Sequence, residues 1–208
     1  MNFRHALTYV FQDQDWAKKI LIPGAIAMIP VFGFIYLLGW LCEIFQRSQN
    51  RITPELPDGW SLSYLKNGFK MAVSLVVYSI PFLIIYWGKC LFDWLWKIIF
   101  SGGFETFVLS MTNFFYNILM IAYIGIILFA FPVILYTFVQ HYSIRDTFDF
   151  QKIYLTLKSR KNVYFQLLAV LAAALIVGSM GISILYVGVI FTLPYALAAY
   201  GDILGTTA

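Results

Sequence analysis

Four stretches of this 208-residue chain contain no Asp, Glu, Lys or Arg: residues 20–42, 71–88, 106–144 and 162–201. A helix crosses the hydrocarbon core of a bilayer in about 20 apolar residues, at about 1.5 Å rise each. The last run, 40 residues long, would be about 60 Å as one helix, twice that core, so it must reverse. Composition agrees with a membrane setting: 61% of residues are hydrophobic and 12% charged, against about 25% charged in soluble domains. So few charges cannot cover a water-soluble globule of this size. A disulfide scaffold is excluded because only Cys42 and Cys90 are present. The fold class is therefore all-α, a polytopic helical membrane protein.

The reversal in the last run is expected at Gly178-Ser179-Met180-Gly181, with Gly188 as a second option. Ala169, Ala172, Ala173 and Ala174 are small enough for two helices to approach closely. The pattern predicts a helical hairpin over 163–204, with helices over 163–177 and 183–204. The first run is either one span over 20–45 or a re-entrant hairpin over 16–46 that turns at Pro30-Val31-Phe32-Gly33. Lys and Arg accumulate in cytoplasmic segments. A single span divides the fourteen basic residues nine to five between the two sides, and a hairpin divides them twelve to two. The charge bias selects the hairpin.

This layout has about six membrane-embedded helices and both termini in the cytoplasm. Spans are expected over 69–88 and 114–139, joined by an external loop over 89–113 that lies in the headgroup zone through Trp94 and Trp96. Asp93 and Lys97, four apart, are placed so that they can pair there, for a few tenths of a kcal/mol at most. Over residues 1–12, Phe3, Ala6, Leu7, Val10 and Phe11 follow the helical period and predict an amphipathic helix lying in the interface. Asp13 or Asp15 is placed to cap the helix beginning at Trp16. Too few apolar residues precede Ala25-Ile26-Ala27 for a cleavable signal. Pro54, Pro57 and Gly59 mark a non-helical loop over 47–68, and residues 143–161 form a cytoplasmic connector able to be helical.

Chemistry is sparse. No charged residue lies inside an apolar run as placed, which argues against proton relays, ion pumps and charge-selective channels. Glu43, at the end of the first run, is expected to be a solvated terminal carboxylate. His5 and His141 are isolated, Cys42 and Cys90 fall on opposite faces, and no phosphate-loop, HExxH or GxSxG signature occurs. The expectation is a non-catalytic chain with no cofactor and no metal. Asn113 and Asn117 share one helix face near the outer end of the fourth helix, as interhelical hydrogen bonders or as contacts for a polar substrate or headgroup. Pro30, Pro81, Pro132 and Pro194 each precede a tyrosine by four to six residues; a mid-helix proline frees the carbonyl four residues earlier, such as Val77, Leu128 or Ile190. These are kinks in packing, or else hinges around a midplane site. Lys158, Arg160 and Lys161, with Lys152, read as a topology anchor for anionic lipid and not as a nucleic-acid patch.

The run Phe11-Gln12-Asp13-Gln14-Asp15-Trp16-Ala17-Lys18-Lys19-Ile20-Leu21-Ile22 resembles the opening of an uncharacterised prokaryotic membrane family, the domain of unknown function numbered four-zero-one-three. Leu38-Gly39-Trp40, Leu56-Pro57-Asp58-Gly59-Trp60, Gly68-Phe69, Phe191-Thr192-Leu193-Pro194-Tyr195 and Tyr200-Gly201 are similar to later family elements. Tyrosine is more usual in the family at position 40, and a basic or tyrosine-containing tail is common where this chain has Gly205-Thr206-Thr207-Ala208. The resemblance implies a multi-pass protein of a prokaryotic cytoplasmic (inner) membrane and supplies no activity. Two roles follow from the residues. The first is a structural or accessory subunit that associates with membrane lipids and with other membrane subunits or copies of itself. The second is a transporter subunit for a lipid or another apolar or zwitterionic substrate.

Overall fold

The computed structural model describes residues 3–53, 56–100, 102–159, 161–180 and 188–207. All regular secondary structure among these residues is helical, with no strand. The helices are α1 (Phe3–Thr8), α2 (Trp16–Ala27), α3 (Phe32–Asn50), α4 (Leu62–Ile99), α5 (Gly103–His141), α6 (Phe150–Ser159), α7 (Lys161–Met180) and α8 (Val189–Thr207). Helices α4, α5 and α8 are long and apolar enough to cross a membrane. The chain divides into two compact units, residues 1–74 with 130–208, and residues 75–129.

In the first unit the expected break at Pro30 is present. The chain leaves α2 at Ala27, and Phe32 N–H donates to the Pro30 carbonyl at 2.7 Å across Val31. Val31 has φ 65 and ψ −55, a γ-turn geometry strained for a β-branched residue. Gly33 then lets α3 fold back onto α2: a Cβ there would stand 2.4 Å from the Ile26 carbonyl oxygen. Both Asp13 and Asp15 fail as side-chain caps. Asp13 instead accepts from the Asp15 amide at 2.9 Å and pairs with Lys19 at 2.7 Å.

Backbone-to-backbone approaches at glycine hold α3 against its neighbours. Cβ atoms on Gly39 and Gly68 would lie 1.8 Å from the Tyr64 and Ile35 carbonyl oxygens respectively, so α3 and the first turns of α4 meet through a reciprocal pair of glycines. Helix α8 crosses α2 at Gly24, whose Cβ would lie 1.8 Å from the Ile190 carbonyl oxygen. Ile190 is the residue whose carbonyl Pro194 leaves without a helical donor. Proline and glycine thus act together, one freeing the carbonyl and the other covering it.

The N-terminal segment departs from a regular amphipathic helix. It passes into a 3₁₀ turn at Tyr9–Gln12, which turns Ala6, Tyr9 and Val10 into the core and leaves Leu7 and Phe11 exposed. The Tyr9 hydroxyl donates to the Ala198 carbonyl at 3.1 Å. The loop after α3 is shorter than 47–68, because α3 continues to Asn50 and α4 begins at Leu62. Its Gly59 carbonyl accepts the Tyr36 hydroxyl at 2.6 Å, and Tyr36 stacks on Trp60. Glu43 is not terminal: it sits inside α3 and pairs with Arg47 at 3.0 Å, one helical turn on.

The C-terminal hairpin is present as α7 packed on α8, but Gly178 is not its turn. Helix α7 runs through Gly178 to Met180, and the next described residue is Gly188, just before α8. Gly181 and the expected helix start at 183 lie outside the described residues. The 143–161 connector holds a 3₁₀ turn over Arg145–Phe148 and then α6.

The second unit overturns the expectation of an interfacial loop over 89–113. Helix α4 continues to Ile99 and α5 starts at Gly103, so nearly all of that stretch is helical. Each helix is about 57 Å long, beyond the 40–45 Å of a whole bilayer with its headgroups. Both pass through Pro81 and Pro132 without a break. Asp93 pairs with Lys89, not Lys97, and Lys89 also sits 5.4 Å from the Tyr116 ring centroid. The Tyr123 hydroxyl donates to the Tyr78 carbonyl, next to the Val77 carbonyl that Pro81 frees.

Candidate functional site

In the second unit, Asn113 and Asn117 both lie exposed on α5, and among the described residues neither side chain makes a hydrogen bond. An unpaired amide at membrane depth is costly unless water or another molecule satisfies it. Trp94 is 60% exposed on α4. Trp96 is not paired with it. It stacks between Phe92 and Phe100, with ring centroids at 5.6 and 4.2 Å, and its indole N–H is buried with no partner among the described residues. The helical period separates Trp94 from Trp96 by more than half a turn and brings residues 92, 96 and 100 into line.

The basic cluster is only partly described. Lys158 is exposed in the last turn of α6, Lys161 is the first residue of α7, and Arg160 lies outside the described residues. His141 ends α5 and meets the Asp146 carboxylate at 2.9 Å. Beside it, the Tyr142 hydroxyl donates to Gln46 at 2.8 Å and its carbonyl accepts Lys70 at 3.1 Å. Burial pushes the Tyr142 phenol above its ordinary pKa and keeps it a donor.

One acid escaped the reading of the runs. Asp202 lies inside α8, is 1% exposed, and accepts the Ser48 hydroxyl of α3 at 2.7 Å. Gly205, one turn on, opens that crossing: a Cβ there would stand 2.5 Å from Ser48 Cβ. The signal available was an Asp one residue beyond an apolar run, inside the expected helix over 183–204. Asp202 and Ser48 lock α8 and α3 together.

The first unit also contains an apolar groove of about 300 Å³ between α7 and α8, lined by Ala169, Ala173, Val177, Tyr195, Ala199 and Tyr200 among others. This is about twice the 150 Å³ of a cavity that accommodates benzene. Tyr195 donates its hydroxyl to the Leu7 carbonyl at 2.8 Å, joining the N-terminal segment to the groove's edge. Tyr200 is fully buried, and its hydroxyl has no partner among the described residues. Among the described residues, no group of three or more His, Cys, Asp or Glu is placed to hold a metal ion, and Cys42 and Cys90 are free thiols.

A family model described as a protein of unknown function (DUF4013) matches residues 22–196. Gly24, Gly39, Gly59, Gly68 and Pro194, which make the close contacts described above, fall inside the match; the Phe11–Lys19 motif and Tyr200-Gly201 fall outside it. Among curated proteins and among solved structures, nothing matches the chain.

Proposed function

The chain belongs to the DUF4013 family of proteins of unknown function, and we propose that it is a non-catalytic, multi-pass accessory subunit of a prokaryotic cytoplasmic membrane complex or oligomer. The carrying observation is the uneven cover of its long apolar helices. In the most apolar window of α8, 56% of residues are buried within the chain, against 17% for α4 and 28% for α5. Lipid satisfies an apolar surface but not Asn113 and Asn117, which call for polar partners from another chain or from headgroups.

In this reading α2 and α3 are the two arms of a re-entrant hairpin, α7 and α8 form the second hairpin, and α4 and α5 cross the bilayer, giving six embedded helices with both termini inside. Twelve of the fourteen basic residues then lie on the cytoplasmic side, with Lys158, Arg160 and Lys161 at anionic headgroups. Cysteine labelling at Gln49, Ser101 and Thr207 on a cysteine-free background tests the arrangement. Only position 101 is expected to label from outside, and external labelling of 49 or 207 overturns it.

A second reading, a subunit that shelters or moves a lipid, is favoured by the apolar groove between α7 and α8. Purification in a bilayer-retaining polymer followed by native mass spectrometry separates the two. A fixed protein stoichiometry supports the accessory subunit, and a solitary chain with one retained lipid supports the second reading.

A further inference from the structure

We propose that residues 75–129 pair with the same unit of a second copy of this chain along a polar seam on one flank of α5. This rests on the accessory-subunit reading and names its partner. Thr106, Ser110, Asn113 and Asn117 are all exposed and stand four, three and four residues apart. At 3.6 residues per turn they point within about 60° of one another. The same flank continues through exposed Ile121, Ile124 and Leu128.

This flank is free of the pairing with α4. Tyr116 under Lys89 and Tyr123 bonded to Tyr78 mark the side of α5 turned to α4, and that side lies about a quarter-turn from the seam. The opposite flank carries Phe115, Leu119 and Ile126, exposed and wholly apolar. Within residues 103–129, the exposed polar side chains of α5 are therefore gathered to one side. Thr106 donates back to the Gly102 carbonyl at 3.1 Å, while Ser110, Asn113 and Asn117 have no side-chain partner among the described residues.

The chemistry of the seam selects its occupant. Ser, Thr and Asn each carry a donor and an acceptor, so a line of them facing its own two-fold copy can satisfy every member. Residues 106–144 contain no charge that would require an opposite charge on a foreign helix. Spacing of four, three and four is the seam that meshes with itself between two helices, and a two-fold contact uses the same patch on both partners. Apolar residues farther along the flank extend the contact where hydrogen bonding ends.

The test uses the full chain in native membrane vesicles, with Cys42→Ala and Cys90→Ser. Single cysteines are introduced on the seam (S110C, N117C) and on the opposite flank (L119C, I126C), then oxidised with copper phenanthroline. The seam positions are expected to give at least tenfold more disulfide-linked dimer. Equal cross-linking on both flanks, or none on the seam, overturns the proposal. Native mass spectrometry of the unmodified chain from the same vesicles separates the causes of failure. An unlinked seam within a fixed-ratio complex of other proteins removes the self-pairing alone, and an unlinked seam on a solitary monomer removes the accessory reading too.

Discussion

Glycine has opposite uses in the two units. In residues 1–74 and 130–208, Gly24, Gly33, Gly39, Gly68 and Gly205 each stand where a Cβ would come within 2.5 Å of another helix. In residues 75–129, Gly88, Gly103 and Gly125 have nothing within 4 Å of a Cβ. The first unit is held by close backbone approach and by buried pairs such as Ser48–Asp202. The second keeps two long helices together through the Lys89–Tyr116 cation–π contact, the Tyr123–Tyr78 bond and a few aromatic contacts, and leaves many of its side chains exposed. A membrane helix is no more apolar on its buried side than on its lipid side, so small residues and polar pairs mark where it packs within its own chain.

The sharpest way to break this contrast is to fill a glycine. Gly39→Ala drives a methyl into the Tyr64 carbonyl and should destabilise the fold by about 3 kcal/mol, near the upper end for overpacking. Thermal melting in detergent and yield of folded monomer measure it. Asp202→Ala removes the acceptor of Ser48 and should cost about 2 kcal/mol, with Asp202→Asn recovering most of it because the amide oxygen still accepts. Tyr9→Phe deletes the bond to Ala198 and should cost about 1 kcal/mol. In the second unit, Tyr123→Phe should cost about 0.6 kcal/mol, the average for a hydrogen bond between membrane helices. Gly125→Ala should be neutral or stabilise by up to about 1 kcal/mol through helix propensity. A Gly125→Ala variant as damaged as Gly39→Ala would erase the distinction.

The helix break at Pro30 and the pairing of two helices near the C-terminus were legible in the sequence, because proline geometry and run length are local properties. The extent of α4 and α5 was not. Residues 89–113 mix many apolar and aromatic side chains with a few charged and polar ones, and that composition serves an interfacial loop and a long helix equally well. Asp93 stands one helical turn from both Lys89 and Lys97, and spacing alone does not choose between them. Asp202 directly follows the charge-free run over 162–201, where an acid reads as the end of a membrane segment. Its burial depends on Ser48 in α3, 154 residues away, and no local pattern records that. For Asn113 and Asn117 the shared face was readable, and their lack of a side-chain partner among the described residues required the structure.

The most direct test compares Asn113→Ala/Asn117→Ala with the unaltered chain in one membrane preparation, following both assembly mass and the thermal melt. Two exposed amides outside the glycine-packed unit should matter to association and little to folding. The account predicts loss of the larger assembly with the melt unchanged within about 2 °C, a shift that corresponds to less than about 1 kcal/mol for a chain of this size. An intact assembly, or a melt that falls together with the mass, would contradict it.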